Sequence, residues 1–141
     1  MTPAVQTTDW LALRTRVATL VTDMPVFDPG AVVEPPSDAN GPLPFILLSD
    51  VTNDPDRRGI DPSLHVRSGT LMLTIQWPIA KPVTHTQLRE IAGQIAAHFP
   101  ADACMRFAAS KLRVTSDASA LPAFVDGAYR VAVVRVPWSS T

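Results

Sequence analysis

Residues 67–82, RSGTLMLTIQWPIAKP, decide how this sequence folds. Leu71, Leu73, Ile75 and Trp77 alternate with Thr70, Met72, Thr74 and Gln76. Successive side chains of an extended backbone point to opposite sides, so the first set lies on one face of a sheet and buries it. The strand stops at Trp77-Pro78, where proline brings no amide donor. It delivers no catalytic residue as it ends, so the question is what it holds together.

On its C-terminal side, THTQLREIAGQIAAHF places Thr84 three residues before Gln87, the spacing of a capping box. Leu88, Ile91, Ala92, Ile95, Ala96 and Phe99 then recur at helical spacing, and Pro100 closes the helix. Gly93 and Ala97 are small and four apart, which leaves room for a second backbone on that side. Beyond this helix, residues 111–116 (KLRVTS) and 128–138 (AYRVAVVRVPW) read as strands, the second begun by the Asp126-Gly127 turn signal. Tyr129, Val131 and Val133 face one way and Ala132, Val134 and Val136 the other, so both sides are apolar enough to be covered.

On the N-terminal side, residues 45–51 (FILLSDV) form a short apolar run bounded by polar residues, the pattern of a buried strand. Residues 25–44 hold six of the fourteen prolines, so an ordinary helix is excluded there. An extended arm or contact loop is expected, with Ala31 to Glu34 as a possible short edge strand. A first helix is expected over residues 9–23, capped by Thr8 or Asp9, with Leu13, Val17, Leu20, Val21 and Met24 on one face and Pro25 after it. The order helix, strand, strand, helix, strand, strand specifies one α+β domain over residues 1–141, a mainly antiparallel sheet packed against two helices.

The composition bounds the function. At 46% hydrophobic and 18% charged, the chain has apolar residues for a real core and a thin polar surface, which leaves room for protein contacts. The net charge of −1 with scattered Lys and Arg gives no basic stripe for a phosphate backbone. One cysteine, Cys104, excludes an internal disulfide and fits a reducing compartment. No run of 18 apolar residues and no leader pattern occur, so a soluble, cytosolic product with no membrane association is expected.

Candidate chemistry is sparse. His65, His85 and His98 are the three histidines, and no pair has the helical spacing of a zinc hydrolase; His85 and His98 stand about 20 Å apart along a helix. A solvated or capping role fits them better than a metal. Cys104 near His98 could form a thiolate and base, but a lone cysteine in PADACMRF carries no nucleophile motif. Asp50, Thr52, Asp54 and Asp56 alternate as in a calcium loop, yet Pro55 stands where the turn glycine is needed and the closing Glu is absent. No phosphate-binding glycine loop occurs, and two Glu residues give no paired-carboxylate motif. No catalytic residue, metal or cofactor is assigned.

The two stretches RSGTLMLTIQWPIAKPVTHTQLREIAGQIAAHFP and LRVTSDASALPAFVDGAYRVAVVRVPW resemble the tail terminator (minor tail or tail completion) proteins of long-tailed phages and prophage-like elements. In that family a short helix and a Pro-rich loop precede a strand ending in Pro, a helix ending in HFP and a last strand rich in Tyr, Arg and Val. The layout covers nearly the whole chain, most closely over residues 69–100 and 126–138; the PPSDANGPLP and NDPDRRGIDP loops depart from it. The resemblance implies a non-enzymatic subunit of a sixfold ring at the junction of tail and head, assembled in the host cytoplasm. Such a ring caps the tail tube, stops its polymerisation and offers a surface to the head connector or neck protein, with DNA passing through the lumen. Rings need two different complementary patches on each subunit; Asp54, Asp56, Arg57 and Arg58, crowded between two strands, are the candidate subunit interface. A neck protein belongs to the same class of assembly, whereas a small α+β ligand-binding domain or enzyme would need a deep pocket with convergent polar groups.

Overall fold

A computed structural model describes residues 4–53, 56–57 and 65–140. In chain order the elements are helix α1 (Val5–Ala18), strands β1 (Val26–Phe27), β2 (Ser37–Asp38), β3 (Gly41–Pro42), β4 (Phe45–Thr52), β5 (Asp56–Arg57), β6 (His65–Val66) and β7 (Ser68–Pro78), helix α2 (His85–Ala97), and strands β8 (Cys104–Phe107), β9 (Ser110–Val114), β10 (Ser119–Ala120), β11 (Phe124–Asp126) and β12 (Tyr129–Ser140). The class is α+β as expected. The main sheet has eight strands in the order β1-β4-β7-β12-β9-β8, with β10 and β11 also paired to β12. Its pairings are antiparallel except for β1 against β4. β2 with β3 and β5 with β6 form two small separate ribbons.

The strand that opened the sequence analysis lies at the centre of this sheet. β4 flanks β7 from Phe45↔Gln76 to Thr52↔Gly69, and β12 flanks it from Tyr129↔Pro78 to Ser139↔Ser68. Register partners share a face. Ile46, Leu48, Ala132, Val134, Val136 and Trp138 therefore join Leu71, Leu73, Ile75 and Trp77 on one side. Ala12, Leu13 and Val17 of α1 and Leu88, Ala92 and Ile95 of α2 close over that side, with Phe99, in a single apolar cluster. Leu71, Leu73 and Ile75 are fully buried, and each such side chain contributes about 1.5–3 kcal/mol relative to exposure. The far edge of β12 is lined in turn by β11, β10 and β9, because the chain runs back along it in three short pieces.

Helix α2 begins as its sequence specifies. Thr84 Oγ1 accepts from the Gln87 amide at 3.1 Å, and Gln87 Oε1 accepts from the Thr84 amide at 2.9 Å. α1 differs from expectation at both ends: it starts at Val5 with Ala4 as an N-cap lacking a side-chain bond, and it ends at Ala18. Thr8 and Asp9 are buried inside it and cap nothing, while Val21 beyond its end is almost fully exposed. The helical spacing runs on past the point where tertiary contact stops. Residues 31–34 form no strand; the Pro-rich segment instead contributes β1, β2 and β3. A Cβ at Gly93 would meet open space, so no backbone approaches it.

Candidate functional site

Both helices take one face of the sheet, and neither covers the other face or the two outer edges among the described residues. Phe45 and Val131 are buried on that second face, outside the main core cluster. The Phe45 ring meets Phe27 and Tyr129 edge-on at centroid distances of 5.6 and 5.7 Å, the arrangement ring quadrupoles favour. Leu47, Met72, Thr74 and Val133 on the same face stay half-buried.

The edges are unlike each other. β1 covers β4 at Ile46 and Leu47, and Pro25 O accepts from the Ile46 amide at 2.9 Å. Residues 48–52 of β4 have no strand partner on that side among the described residues. At the opposite end of the sheet β8 pairs with β9 and leaves its outer backbone unpaired to any strand among the described residues.

A polar cluster ties the start of α1 to the sheet. Arg67 Nε donates to Asp9 Oδ2 at 2.6 Å and Nη2 to Oδ1 at 3.1 Å. Ser110 Oγ donates to Asp9 Oδ1 at 2.7 Å and lies 2.6 Å from Thr8 Oγ1. The Ser140 amide donates to Arg67 O at 2.7 Å, so β12 shares the anchor. Breaking such a buried pair by removing one partner costs about 3–5 kcal/mol. Beside it, Asp50 projects toward the core side, and its Oδ1 and the Trp138 Nε1 are buried without hydrogen-bond geometry to any described group. Burial pushes the Asp50 carboxyl above the ordinary value of 3.8; the nearby Trp138 indole N–H offsets part of this, and the charge of Asp9 adds to it. Gln6, Thr52, Asn53 and Ser68 complete the lining of a cleft of about 200 Å³ over this cluster. Asp9 is engaged by Arg67 and Ser110 and anchors α1 to the sheet, whereas Asp50 lines the same cleft with one carboxyl oxygen unpartnered.

The residues singled out in the sequence are dispersed. Asp54 and Arg58 lie outside the described residues; Asp56 and Arg57 sit on β5, opposite Val66 and His65 on β6. Asp50 and Thr52 of the calcium-like pattern belong to β4, with Asp50 turned toward the cluster just described. His98 is the C-cap of α2: its Nε2 lies 2.8 Å from Thr19 Oγ1 and 3.1 Å from Arg16 O, while Arg16 Nη2 donates to His98 O at 2.7 Å. It clasps the ends of the two helices together. His85 opens α2, and Cys104 is exposed on β8 with its Sγ 3.8 Å from Asp102 O. No group of three His, Cys, Asp or Glu placed to hold a metal occurs among the described residues. No helix there is long and apolar enough to cross a membrane. Sequence reasoning missed Asp9 and Arg67, which it took for a cap and a strand flank; their spacing in sequence gives no sign of contact.

A solved protein structure whose name states no function is similar to this chain, with a TM-score of 0.66 over 95% of this chain and 86% of its own, at 15% identity. At that identity it supports the fold alone. A search of curated proteins finds no match. The sequence model of one family, described as phage tail terminator protein, matches residues 10–138, which takes in most of α1, all of α2 and the main sheet up to the last two residues of β12. By that match, which spans most of its length, the chain belongs to the phage tail terminator proteins, structural components of the virion tail.

Proposed function

We propose that this chain is one wedge of a closed ring, sixfold in the implied arrangement, that caps the finished tail tube, stops its polymerisation and presents a surface for head attachment. The family match over residues 10–138 carries this reading. The geometry agrees with it: a ring closed by rotation needs two different patches on each subunit, and the sheet ends in two different edges. The tube protein on one side and the head connector or neck protein on the other are its proposed partners, with assembly in the host cytoplasm and DNA passing through the lumen. The loop carrying Asp54, Asp56, Arg57 and Arg58 extends the proposed subunit boundary beyond the end of β4.

Every end of a growing tube exposes the same unsatisfied surface until something complementary and non-propagating covers it. Particles assembled without the chain are expected to carry overlong tails of variable length and no heads. Purified protein added during assembly restores a uniform length. Normal, head-joined tails in electron micrographs of the deletion would overturn the reading, and normal lengths with unattached heads would transfer the chain to the neck.

A further inference from the structure

Trp138 is 2% exposed, and its indole N–H, a donor with no acceptor capacity, meets no hydrogen-bond partner among the described residues. Asp50 Oδ1 is buried and unpartnered in the same cleft. The indole lies near enough to offset part of the rise that burial causes in the Asp50 carboxyl, yet the two groups miss hydrogen-bond geometry. Strand register explains their meeting. Thr52, Gly69 and Trp138 stand in one row across β4, β7 and β12, and Asp50, Leu71 and Val136 form the next row on that face. Gly69 has no side chain to block the row: a Cβ there would lie 2.8 Å from Trp138 Cζ2. The indole thus reaches over β7 toward β4, which brings its N–H to the wall of the cleft.

We propose that this cleft binds a neutral primary carboxamide, whose oxygen accepts from Trp138 Nε1 and whose N–H donates to Asp50 Oδ1. Buried polar groups are nearly always paired, so an orphaned donor beside an orphaned acceptor defines the complement that both lack. Charge selects among the groups that fit. A carboxylate would face Asp50 and Asp9; an amidinium would face the Arg67 guanidinium and offer the indole no acceptor. A lone hydroxyl or water could bridge the pair, but the cleft of about 200 Å³ far exceeds the roughly 30 Å³ share of one water. Its uncharged rim, Gln6, Thr52, Asn53 and Ser68, suits the second N–H and second lone pair of an amide. An Asn or Gln side chain of another protein presents this group, as does a small free amide. Recognition here needs one copy of the chain only.

The Trp138 indole N–H reports directly on occupancy. In the isotope-labelled full chain its nuclear magnetic resonance signal, assigned by its loss in Trp138→Phe, should shift saturably on titration with acetamide up to about 100 mM, the range expected of so small a ligand. Acetate and acetamidinium, of the same shape and opposite charge, should give no saturable shift, and ethanol should bind more weakly than acetamide. Asp50→Ala should weaken acetamide binding at least about tenfold, the scale of a lost hydrogen bond to a charged group. Circular dichroism verifies the fold of both variants; should Asp50→Ala not fold, the four probes on the wild type decide. N-acetylglutamine methylamide separates the two sources: binding tighter than acetamide assigns the cleft to a protein side chain, and equal or weaker binding assigns it to a free amide. No saturable shift with acetamide would overturn the proposal and leave Asp50 and Trp138 joined by water or directly to each other. Saturation by acetate or acetamidinium, ethanol matching acetamide, or unchanged affinity in folded Asp50→Ala would overturn it as well.

Discussion

Asp50 shows what a single buried group does to this fold. Its carboxyl is held above 3.8 chiefly by burial, so the folded chain binds the proton more tightly than the unfolded chain. The sign follows from linkage: its contribution to stability is complete below pH 3.8 and is lost as the pH rises through the raised folded value. Asp50→Asn keeps the shape and removes the charge. At neutral pH it should stabilise the protein by about 1 kcal/mol, the scale of one unsatisfied buried polar group. Denaturant titrations at several pH values check this: the variant should lack the decline that the wild type shows above pH 3.8. Equal pH profiles would mean that Asp50 titrates alike in both states. None of this was legible in the sequence, where Asp50 was one member of a calcium-like alternation. Its burial comes from the register of β4 on β7, which sets Asp50 opposite Leu71.

At the scale of elements, the alternation in β7 and the capping box of α2 were legible because both are encoded by residues close in sequence. The short strands were not. β10 and β11 are two and three residues long, and they exist because β12 offers them a partner. The overextended end of α1 has the same origin, since Val21 keeps the helical spacing with nothing to pack against. Gly69 tests the packing of β7 directly. A Cβ there would collide with Val51 O and lie 2.8 Å from Trp138 Cζ2, with the obstruction set by backbone and a buried indole. Gly69→Ala should therefore cost about 1–3 kcal/mol, the usual range for an overpacked core. A lowered urea midpoint with an unchanged slope is the expected result, and an unaltered midpoint would show that Trp138 has room to retreat.

The unlikeness of the two sheet edges belongs to the scale of the whole molecule. β1 and β8 lie far apart in sequence, so no local run announced it; only strand order sets them at opposite ends of the sheet. The proposed boundary at Asp54, Asp56, Arg57 and Arg58 has the reverse basis, a local crowding of charge in the sequence. In the proposed ring, a copy disabled at one edge would still join a neighbour through the other and so poison the ring it enters. In an equal mixture with wild type, a six-membered ring free of such copies forms in about 2% of random assemblies. Rescue of tail length by such mixtures should consequently fall much more steeply than the variant fraction. A proportional decline would indicate that copies act singly at the tube end.

The position of β12 has a consequence for synthesis. It lies between β7 and the β9–β11 run, yet it follows every other strand in chain order. Until β12 has been made, a nascent chain therefore holds β7 bare along one side, with the strands that pair beyond β12 already made and unable to reach it. The sheet closes when this last strand emerges and zips along two sides at once. Until that moment neither helix has a complete floor to rest on, and a half-made copy would have no finished surface to bring to the proposed ring.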